Sequence, residues 1–209
     1  MKNIINLLRF WELKIIIHKK KFNLLDVGCG NGSFVELAIK NGIKTLGVDK
    51  KHTTHPQIIY SSIEKLQLNK KFDVITMFHV IEHVDNPEFV LKKAYRLLKN
   101  DGWLVLELPL TTNLTEKFLQ DKYFAYYDKT HKNLWSKNEW LRLINKCNFI
   151  VEKQGLTLYE FPLTIITTSF RQGIIKGIIS LFIFLPLKVL TGFGFNDEIV
   201  RFYCVKIVQ

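Results

Sequence analysis

The sequence is sparing in cysteine, proline and glycine. Its 209 residues include three cysteines, Cys29, Cys147 and Cys204, which lie far apart. They form no CxxC zinc pattern, and an odd number argues against a disulfide framework, so we expect a reducing, cytoplasmic setting. The 11 glycines and 5 prolines follow no short repeat, which excludes the collagen-like and low-complexity classes.

The sequence also lacks an uncharged apolar run long enough to predict a membrane-spanning helix. In the apolar region 165–190, the longest uncharged piece is 177–187, which contains Pro186. This piece falls short of the roughly 18 residues that a span requires. Residues 1–21 mix apolar and charged side chains and have no small-residue cleavage site. They therefore predict an amphipathic helix rather than a secretory leader.

Positive charge and apolar residues are what the chain has in quantity. Hydrophobic residues make up 47% of the sequence, which at this length is enough for one domain with a well-packed core. Lysine and arginine number 30 against 19 aspartates and glutamates, a formal net charge of +11. This excess predicts attraction to an anionic partner, either nucleic acid or a membrane surface, and composition does not choose between them.

Short apolar runs alternate with helical stretches from residue 22 onward, a pattern typical of a parallel sheet covered by helices. We therefore predict an α/β fold with a doubly wound, mostly parallel sheet and helices on both faces. Residues 22–209 form the main domain, after the helix 1–21 and with an apolar helical insertion at about 156–198. The predicted strands are 23–27, 44–48, 58–60, 72–76, 103–108, 150–155 and 200–207, and the predicted helices are 33–41, 87–98 and 137–147.

The segment 23–33 is the most informative part of the sequence. A buried strand leads into a turn with glycines at positions 28, 30 and 32, and then into a helix. Glycines let a ligand approach the backbone closely, and the helix N-terminus offers unpaired N–H groups. Asp49 ends the next strand, where a carboxylate can accept hydrogen bonds from two ribose hydroxyls. The segment therefore predicts a site for a nucleoside-containing cofactor.

Two cofactor classes compete for this loop. A dinucleotide-binding motif requires glycine or alanine at the position of Ser33, which disfavours a nicotinamide-dependent oxidoreductase. The glycines instead follow GxGxG, with Asp26 two residues before the first of them. This arrangement resembles motif I of the class I S-adenosylmethionine-dependent methyltransferases. An acid beside the loop suits a cationic aminoacid-nucleoside, whereas it would repel a pyrophosphate.

The resemblance continues along the chain. Residues 71–75 are similar to the family's fourth strand, 79–84 to the segment after it, and 97–109 to the helix end, turn and fifth strand. The ubiquinone-biosynthesis O-methyltransferases and similar small-molecule enzymes are the members it resembles, over residues 22–155 and again at the final strand. The resemblance implies a Rossmann-like methyltransferase fold with seven strands, the last antiparallel, and S-adenosyl-L-methionine as the cofactor.

The resemblance also assigns the cofactor site, position by position. Asp26 matches the acid near the methionine portion of the cofactor. Many members place an acid after the third strand, against the adenine amino group, whereas this chain has the neutral Ser62 there and the backbone N–H of Ile63 facing the ring. The implied cofactor residues are Asp26, Gly28, Cys29, Gly30, Gly32, Asp49, Ser62, Ile63 and His79.

Methyl transfer to a hydroxyl needs a general base when the acceptor keeps its proton until the transition state. The acceptor should lie over the loops after the fourth and fifth strands, where the candidate bases are His79, His83, Asp128 and His131. His131 is our first choice, because relatives often carry a histidine there, and His79 is the second. A purely structural role for His131 is an equal alternative. Glu82 and His83 could form part of a divalent-metal site, as in some quinone-pathway relatives, but we interpret them as caps of the short helix after the strand, so no metal is predicted.

The acceptor class is narrowed by an absent motif. Enzymes that methylate the exocyclic amines of bases typically carry an Asn/Asp-Pro-Pro-aromatic segment after the fourth strand, but residues 77–80 read Met-Phe-His-Val. Nucleic acid is therefore not expected as a partner. The apolar residues of 161–195 have sparse cations among them, which suits the anionic inner face of a membrane, and packing of this segment on the core is the alternative.

From these features we expect O-methylation of a small-molecule or lipid-linked acceptor, such as a quinone precursor or a glycan, at that peripheral membrane position. The alternatives are the nicotinamide-dependent oxidoreductase and a membrane- or partner-binding protein that keeps the cofactor fold without turnover.

Overall fold

A computed structural model describes residues 2–113, 116–117, 120–155, 169–171, 173–191 and 199–208. One seven-stranded sheet runs through the molecule in the order β3-β2-β1-β4-β5-β7-β6. The strands are β1 (Asn23–Val27), β2 (Lys44–Asp49), β3 (Ile58–Tyr60), β4 (Phe72–Phe78), β5 (Leu98–Pro109), β6 (Phe149–Gly155) and β7 (Ile199–Lys206). The helices are α1 (Lys2–Ile17), α2 (Ser33–Lys40), α3 (Pro87–Leu97), α4 (Phe124–Tyr127), α5 (Lys137–Lys146) and α6 (Ile174–Thr191), with 3₁₀ turns at Ile81–His83 and Gln120–Lys122.

The sheet confirms the predicted α/β topology. Strands β1 to β5 pair in parallel, and β7 lies antiparallel to both β5 and β6. The strand order reverses direction between β1 and β4, because β2 and β3 extend to one side of β1 and β5 to the other. Ligands of open α/β sheets bind in the crevice at such a switch point, beyond the carboxyl ends of the strands.

Strand β5 begins earlier than predicted. The sequence Asn-Asp-Gly at 100–102 indicates a turn before a strand at Trp103, whereas the observed strand starts at Leu98. Leu98 pairs with Phe72 and Trp103 pairs with Val74, so the extra residues form an irregularity within one continuous strand. The turn chemistry is therefore accommodated as a bulge, which leaves the ladder intact on both sides.

Helices cover both faces of the sheet and bury its apolar side chains in two clusters. Helix α1 packs Phe10 and Leu13, both fully buried, in the cluster that contains Phe34 of α2. The sequence predicts this helix to residue 21, but it ends at Ile17. The opposite cluster includes Trp140 of α5 and side chains from α3. The site thus lies on a sheet that is packed on both sides.

The apolar insertion predicted at 156–198 is described only in part. Helix α6 occupies Ile174–Thr191, whereas residues 156–168, 172 and 192–198 lie outside the described residues. Within the described part of the chain, no helix has both the length and the apolar character that crossing a membrane requires.

Candidate functional site

The turn after β1 is a backbone cradle that depends on glycine. Gly28, Gly30 and Gly32 have φ values of 70°, 57° and 83°, in the left-handed region that favours glycine. The N–H groups of Gly28 and Cys29 donate to the carbonyl of Val48, 2.7 and 3.2 Å away, which fixes the turn against β2. A Cβ on Gly28 would lie 2.3 Å from Cγ2 of Val80, so the loop after β4 also closes over this residue.

Asp49 lies beside the cradle, as its place at the end of β2 predicts. Its carboxylate accepts hydrogen bonds from the N–H groups of Gly30 and Lys51, both 2.7 Å away. These bonds aim the side chain across the turn, where a carboxylate can also receive ribose hydroxyls. Gly32 has a structural part in the same turn, since it precedes α2 and a Cβ there would lie 2.7 Å from Cδ1 of Ile58.

Two cavities meet at Gly28. The larger, of about 770 Å³, is of a size that holds a small molecule. The smaller, of about 300 Å³, lies on the other side of the cradle. The larger is lined by the predicted residues Asp49, Ser62, Ile63 and His79, together with His83 and Asp128, and the smaller by Asp26, Cys29 and Gly30 together with Asn6 and Arg9 of α1. Of the predicted residues, Gly32 and His131 line neither cavity.

Asp26 is a buried carboxyl group in the smaller cavity. It is 3% exposed and accepts a hydrogen bond from the hydroxyl of Thr76, 2.7 Å away. Burial raises the pKa of Asp26 to about 7, against the lowering effects of that hydrogen bond and of Arg9. A carboxyl group with this pKa changes its charge near neutral pH, so a cationic ligand in the cavity would favour its ionised form.

The thiol of Cys29 lies in the same cradle and is not a reactive group. Burial raises the pKa of Cys29 to about 12, and the neighbouring Asp26 and Asp49 act in the same direction. The thiolate is the nucleophilic form of cysteine, so Cys29 contributes a small side chain and its backbone rather than nucleophilic chemistry.

His79 is held between two buried carboxylates. Its Nδ1 lies 3.2 Å from Oε1 of Glu82, and its Nε2 lies 3.3 Å from Oε1 of Glu107. Both contacts are hydrogen bonds only when the ring carries a proton on each nitrogen. His79 also has a φ of 55°, which is rare for a residue with a side chain. This arrangement favours a positioning role over the general-base role that the sequence suggested as second choice.

His83 and His131 come together beside the larger cavity. Their ring centroids lie 4.7 Å apart, although 48 positions separate them in the chain. The loop carrying His131 is fixed to the 3₁₀ turn by the side chain of Asn133, which donates to the carbonyl of Val84 at 2.7 Å, and by the N–H of Lys132, which donates to the carbonyl of Glu82 at 2.7 Å.

Hydrogen bonds also determine which ring nitrogen of each histidine bears the proton. Nδ1 of His131 lies 2.6 Å from the carbonyl oxygen of Ala125, which can only accept. Nδ1 of His83 lies 2.9 Å from the hydroxyl of Thr130, whose own proton goes to Asp128, 2.6 Å away. In the neutral form of each ring, Nδ1 therefore donates and Nε2 keeps a lone pair. That lone pair is what a general base uses.

Glu82 lies next to His83 and His131 and forms a group of three with them. It is fully buried, and its Oε2 has no hydrogen-bond partner among the described residues. One ligand atom each of Glu82, His83 and His131 lies within 4.8 Å of the others. The sequence predicts no metal here, yet two imidazoles and a carboxylate are a donor set that fits a divalent cation.

A buried ionic network behind the site was not found from the sequence. Arg9 of α1 and Arg201 of β7 both donate to Glu107 of β5, and Arg201 also donates to Glu12 of α1. The hydroxyl of Tyr203 donates to Glu12 over 3.0 Å. Glu107 and Arg201 are 0% and 1% exposed. Each is a charged residue with an apolar neighbour on either side in its strand, and that is the one signal the sequence carried.

The charge of Glu107 is set by this network. Burial alone would raise its pKa, but the hydrogen bond from His79 and the charges of Arg201 and Arg9 outweigh burial and hold the pKa well below its ordinary value. Arg9 also places its guanidinium carbon 4.6 Å from the ring centroid of Phe78 at the end of β4. The network thereby fixes α1, β4 and the cavity wall relative to one another.

Comparisons with known proteins agree with this geometry. A family model described as a methyltransferase domain matches residues 3–154. The ubiquinone biosynthesis O-methyltransferase of Pelagibacter ubique is 33% identical over 157 residues, which cover 66% of this chain and 63% of the relative. The enzyme of the same name from Coxiella burnetii (strain RSA 331) is 32% identical over 172 residues, or 68% of this chain and 73% of the relative. The chain thus spans just under two thirds of the length of the Pelagibacter relative.

Solved structures show the same fold. A SAM dependent methyltransferase from Archaeoglobus fulgidus superposes with a TM-score of 0.65 at 19% identity, covering 99% of this chain and 95% of that one. At this identity the likeness establishes the arrangement of the sheet and helices.

Proposed function

The chain belongs to the methyltransferase domain family, and from this premise we propose that it transfers a methyl group from S-adenosylmethionine to a hydroxyl of a small-molecule or lipid-linked acceptor. One observation carries the proposal: two cavities meet at the glycine cradle, with a buried acid in one and a ribose-type acid in the other. An aminoacid-nucleoside has its cationic and ribose portions on opposite sides of such a turn.

The described residues fit this cofactor. Asp49 would hold the ribose, and Ser62 and the N–H of Ile63 would meet the base, since all three line the larger cavity. Asp26 and Arg9 line the smaller cavity, where an acid and a guanidinium suit the ammonium and carboxylate of an amino acid. Gly28 lines both cavities, and its lack of a side chain lets Val80 pack directly against the turn between the two portions.

When bound, S-adenosylmethionine supplies an electrophilic methyl group on a sulfonium, a good leaving group. The protein's part is to align the acceptor and to take its proton. His83 lines the larger cavity, and both His83 and His131 keep a lone pair on Nε2. We propose that this pair of histidines accepts the proton that the acceptor hydroxyl loses. The same two imidazoles with Glu82 could instead hold a divalent cation that lowers the pKa of the hydroxyl, and loss of turnover with a chelator would distinguish that arrangement.

The acceptor class is supported by the names of the relatives and by the surface of the chain. The two curated relatives are named for ubiquinone biosynthesis, and a quinone precursor offers phenolic hydroxyls. Apolar side chains such as Ile174, Ile175 and Phe182 of α6 are 71–75% exposed. These features support an acceptor delivered at a membrane surface.

Calorimetry tests the cofactor half of the proposal. We expect the chain to bind S-adenosylhomocysteine and not NAD. Asp49→Ala should weaken this binding at least about tenfold, because a carboxylate hydrogen-bonded to ribose is lost. Asp101→Ala removes an exposed acid near the beginning of β5, away from the carboxyl ends of the parallel strands, and serves as the matched control. Binding of NAD without S-adenosylhomocysteine would favour the oxidoreductase alternative.

Methyl-labelled cofactor tests the acceptor half. Extracts of hydroxylated lipids, phenols and glycans are incubated with the protein, and the labelled product is identified. We expect label on an oxygen, and about 100-fold less product with His83→Asn and His131→Asn together, the range that general-base catalysis supplies. Cofactor binding with no labelled product from any extract would favour the binding-protein alternative.

A further inference from the structure

Helix α1 has two apolar faces, although packing in the described structure uses one of them. Facing inward are Phe10, Leu13 and Ile17, which are at most 5% exposed. On the opposite side lies a set that we call the outer stripe, with exposed fractions of 43–66%: Ile4, Leu7, Leu8, Trp11 and Ile15. Positions 4, 8, 11 and 15 recur at helical spacing, so these side chains form one continuous surface.

The surroundings of the outer stripe carry positive charge. The one acid of α1, Glu12, contacts Arg201 and Tyr203. Lys14 borders the stripe, and Lys20 and Lys21 follow the helix. Within the described residues, none of these three lysines has an acidic partner. An apolar helix face with a central tryptophan and flanking lysines is complementary to an anionic bilayer.

Buried ion pairs hold the inward side of α1 against the domain, whereas the outer stripe is exposed. Arg9 and Glu12 are paired with the buried Glu107 and Arg201, and pulling α1 away would leave those two charges without these partners. Removing one member of a buried pair is strongly unfavourable. The helix therefore meets a surface as part of the folded domain, with the outer stripe as its exposed apolar face among the described residues.

The position of α1 gives this contact a consequence for the reaction. Ile5, Asn6 and Arg9 line the smaller cavity, and the amide of Asn6 donates to the hydroxyl of Ser33 next to the cradle, 2.9 Å away. The outer stripe lies on the opposite side of the same helix. A helix with its side chains is about 10 Å across, so a surface under the stripe lies about that far from the cavity.

We propose that the outer stripe of α1 is the docking surface for an anionic bilayer, which holds the smaller cavity about one helix diameter from the acceptors in that bilayer. This inference rests on the proposed function for the acceptor, whereas the docking itself does not depend on turnover. It assigns the partner surface to α1, in addition to any contact made by the helix α6.

Vesicle flotation of the full chain tests the docking. Wild-type protein should float with vesicles that contain about 30% phosphatidylglycerol, and Leu8→Glu/Ile15→Glu should lower the partition coefficient at least about tenfold. Phe89→Glu on α3 changes an equally exposed apolar residue, at 46%, and should float like wild type. Lys20→Gln/Lys21→Gln should lower the partition coefficient on these vesicles about 25-fold, which is about fivefold per lysine. The same variant should bind to phosphatidylcholine vesicles as wild type does.

Three results would overturn the proposal. The first is wild-type protein that remains in the unfloated fraction. The second is a double glutamate variant that floats as well as wild type, which would assign docking to another surface. The third is a wild-type dimer in sedimentation that the same variant converts to a monomer without any lipid binding, because a second copy would then cover the stripe. Calorimetry with S-adenosylhomocysteine on every variant separates these failures from failure of the proposed function, because docking variants should keep wild-type affinity.

Discussion

The most consequential single residue is Asp26, because its carboxyl group is only partly ionised near neutral pH. Its carboxyl group is buried beside the cradle and accepts a hydrogen bond from Thr76. Burial raises its pKa to about 7. An ordinary aspartate of pKa 3.8 would be ionised throughout the physiological range. Since the folded-state pKa is the higher one, ionising Asp26 lowers the free energy of unfolding as the pH rises from about 4 to about 7.

Cofactor affinity should therefore rise with pH. Between pH 6 and pH 8 the ionised fraction of a group with a pKa of about 7 increases from about one tenth to about nine tenths. We expect the affinity for S-adenosylhomocysteine, measured by calorimetry, to rise about tenfold over this interval, because its ammonium group favours the carboxylate. Asp26→Asn should flatten the profile. A wild-type affinity independent of pH would contradict the placement of the ammonium group beside Asp26.

Sequence patterns identified the residues of the cradle but not those behind it. Asp26, Gly28 and Asp49 stand at fixed spacing in a strand-turn-helix context, so their proximity followed from the chain itself. Glu107 and Arg201 are 94 positions apart and meet only because β5 and β7 pair in one register. Arg9 resembled a charge that merely interrupts an apolar helix.

At the scale of elements, the cradle and the loop after β4 form one unit. Gly28 needs a positive φ and also lies directly under Val80, whereas Gly30 needs a positive φ but has open space where its Cβ would be. Adding a side chain at Gly30 therefore costs only backbone strain, whereas adding one at Gly28 costs backbone strain and a clash with Val80. This contrast is not visible in the spacing of the glycines.

Alanine substitutions should reveal this contrast. Gly30→Ala should lower the free energy of unfolding by about 1–2 kcal/mol, the cost of a left-handed conformation. Gly28→Ala should add about 1–3 kcal/mol for the clash with Val80. Urea denaturation monitored by circular dichroism measures both, and Gly28→Ala/Val80→Ala should recover part of the second cost. Equal destabilisation by the two single substitutions would show that the loop after β4 moves aside freely.

The sequence predicted the bounds of three short strands closely. The bounds of β1 and β3 were predicted to the residue, and β2 to within one, because each is an apolar run between turn signals. Strand β5 was predicted too short, since a turn signal at 100–102 does not reveal that the chain rejoins its neighbour on both sides. The residues at 100–102 favour a turn, but pairing with β4 keeps them within one strand.

Across the whole molecule, the buried ionic network joins distant parts of the chain. Arg9 and Glu12 come from α1, Glu107 from the middle of the sheet, and Arg201 and Tyr203 from β7. His79 connects the network to the cofactor site through Glu107. The geometry of the cavities thus depends on contacts between the first helix and the last strand.

Removing the central carboxylate should destabilise the fold. Glu107→Gln leaves two guanidinium groups without their common partner, and we expect a loss of about 3–5 kcal/mol in the free energy of unfolding at pH 7. Because the folded-state pKa of Glu107 lies below the ordinary 4.5, its stabilisation is complete above that pH and fades as the pH falls further. The difference between variant and wild type should narrow in acid.

Glu88 provides the matched comparison, since it pairs with Lys92 and Lys146 on the exposed side of α3. Glu88→Gln should change the urea midpoint little. If Glu107→Gln behaved like Glu88→Gln, the network would be dispensable for stability, and the shape of the smaller cavity would need another explanation.

The separation of the network's members along the chain also has a consequence during synthesis. Glu12 and Arg201 are 189 positions apart, and a ribosome adds about 5–20 residues per second, so about 10–40 s pass before the helix can meet its last partner. Until α2 and the strands that pack on it have been made, both apolar faces of α1 are uncovered on the nascent chain. The growing protein can thus reach a lipid surface, or a chaperone, before its cofactor cavity has a complete wall.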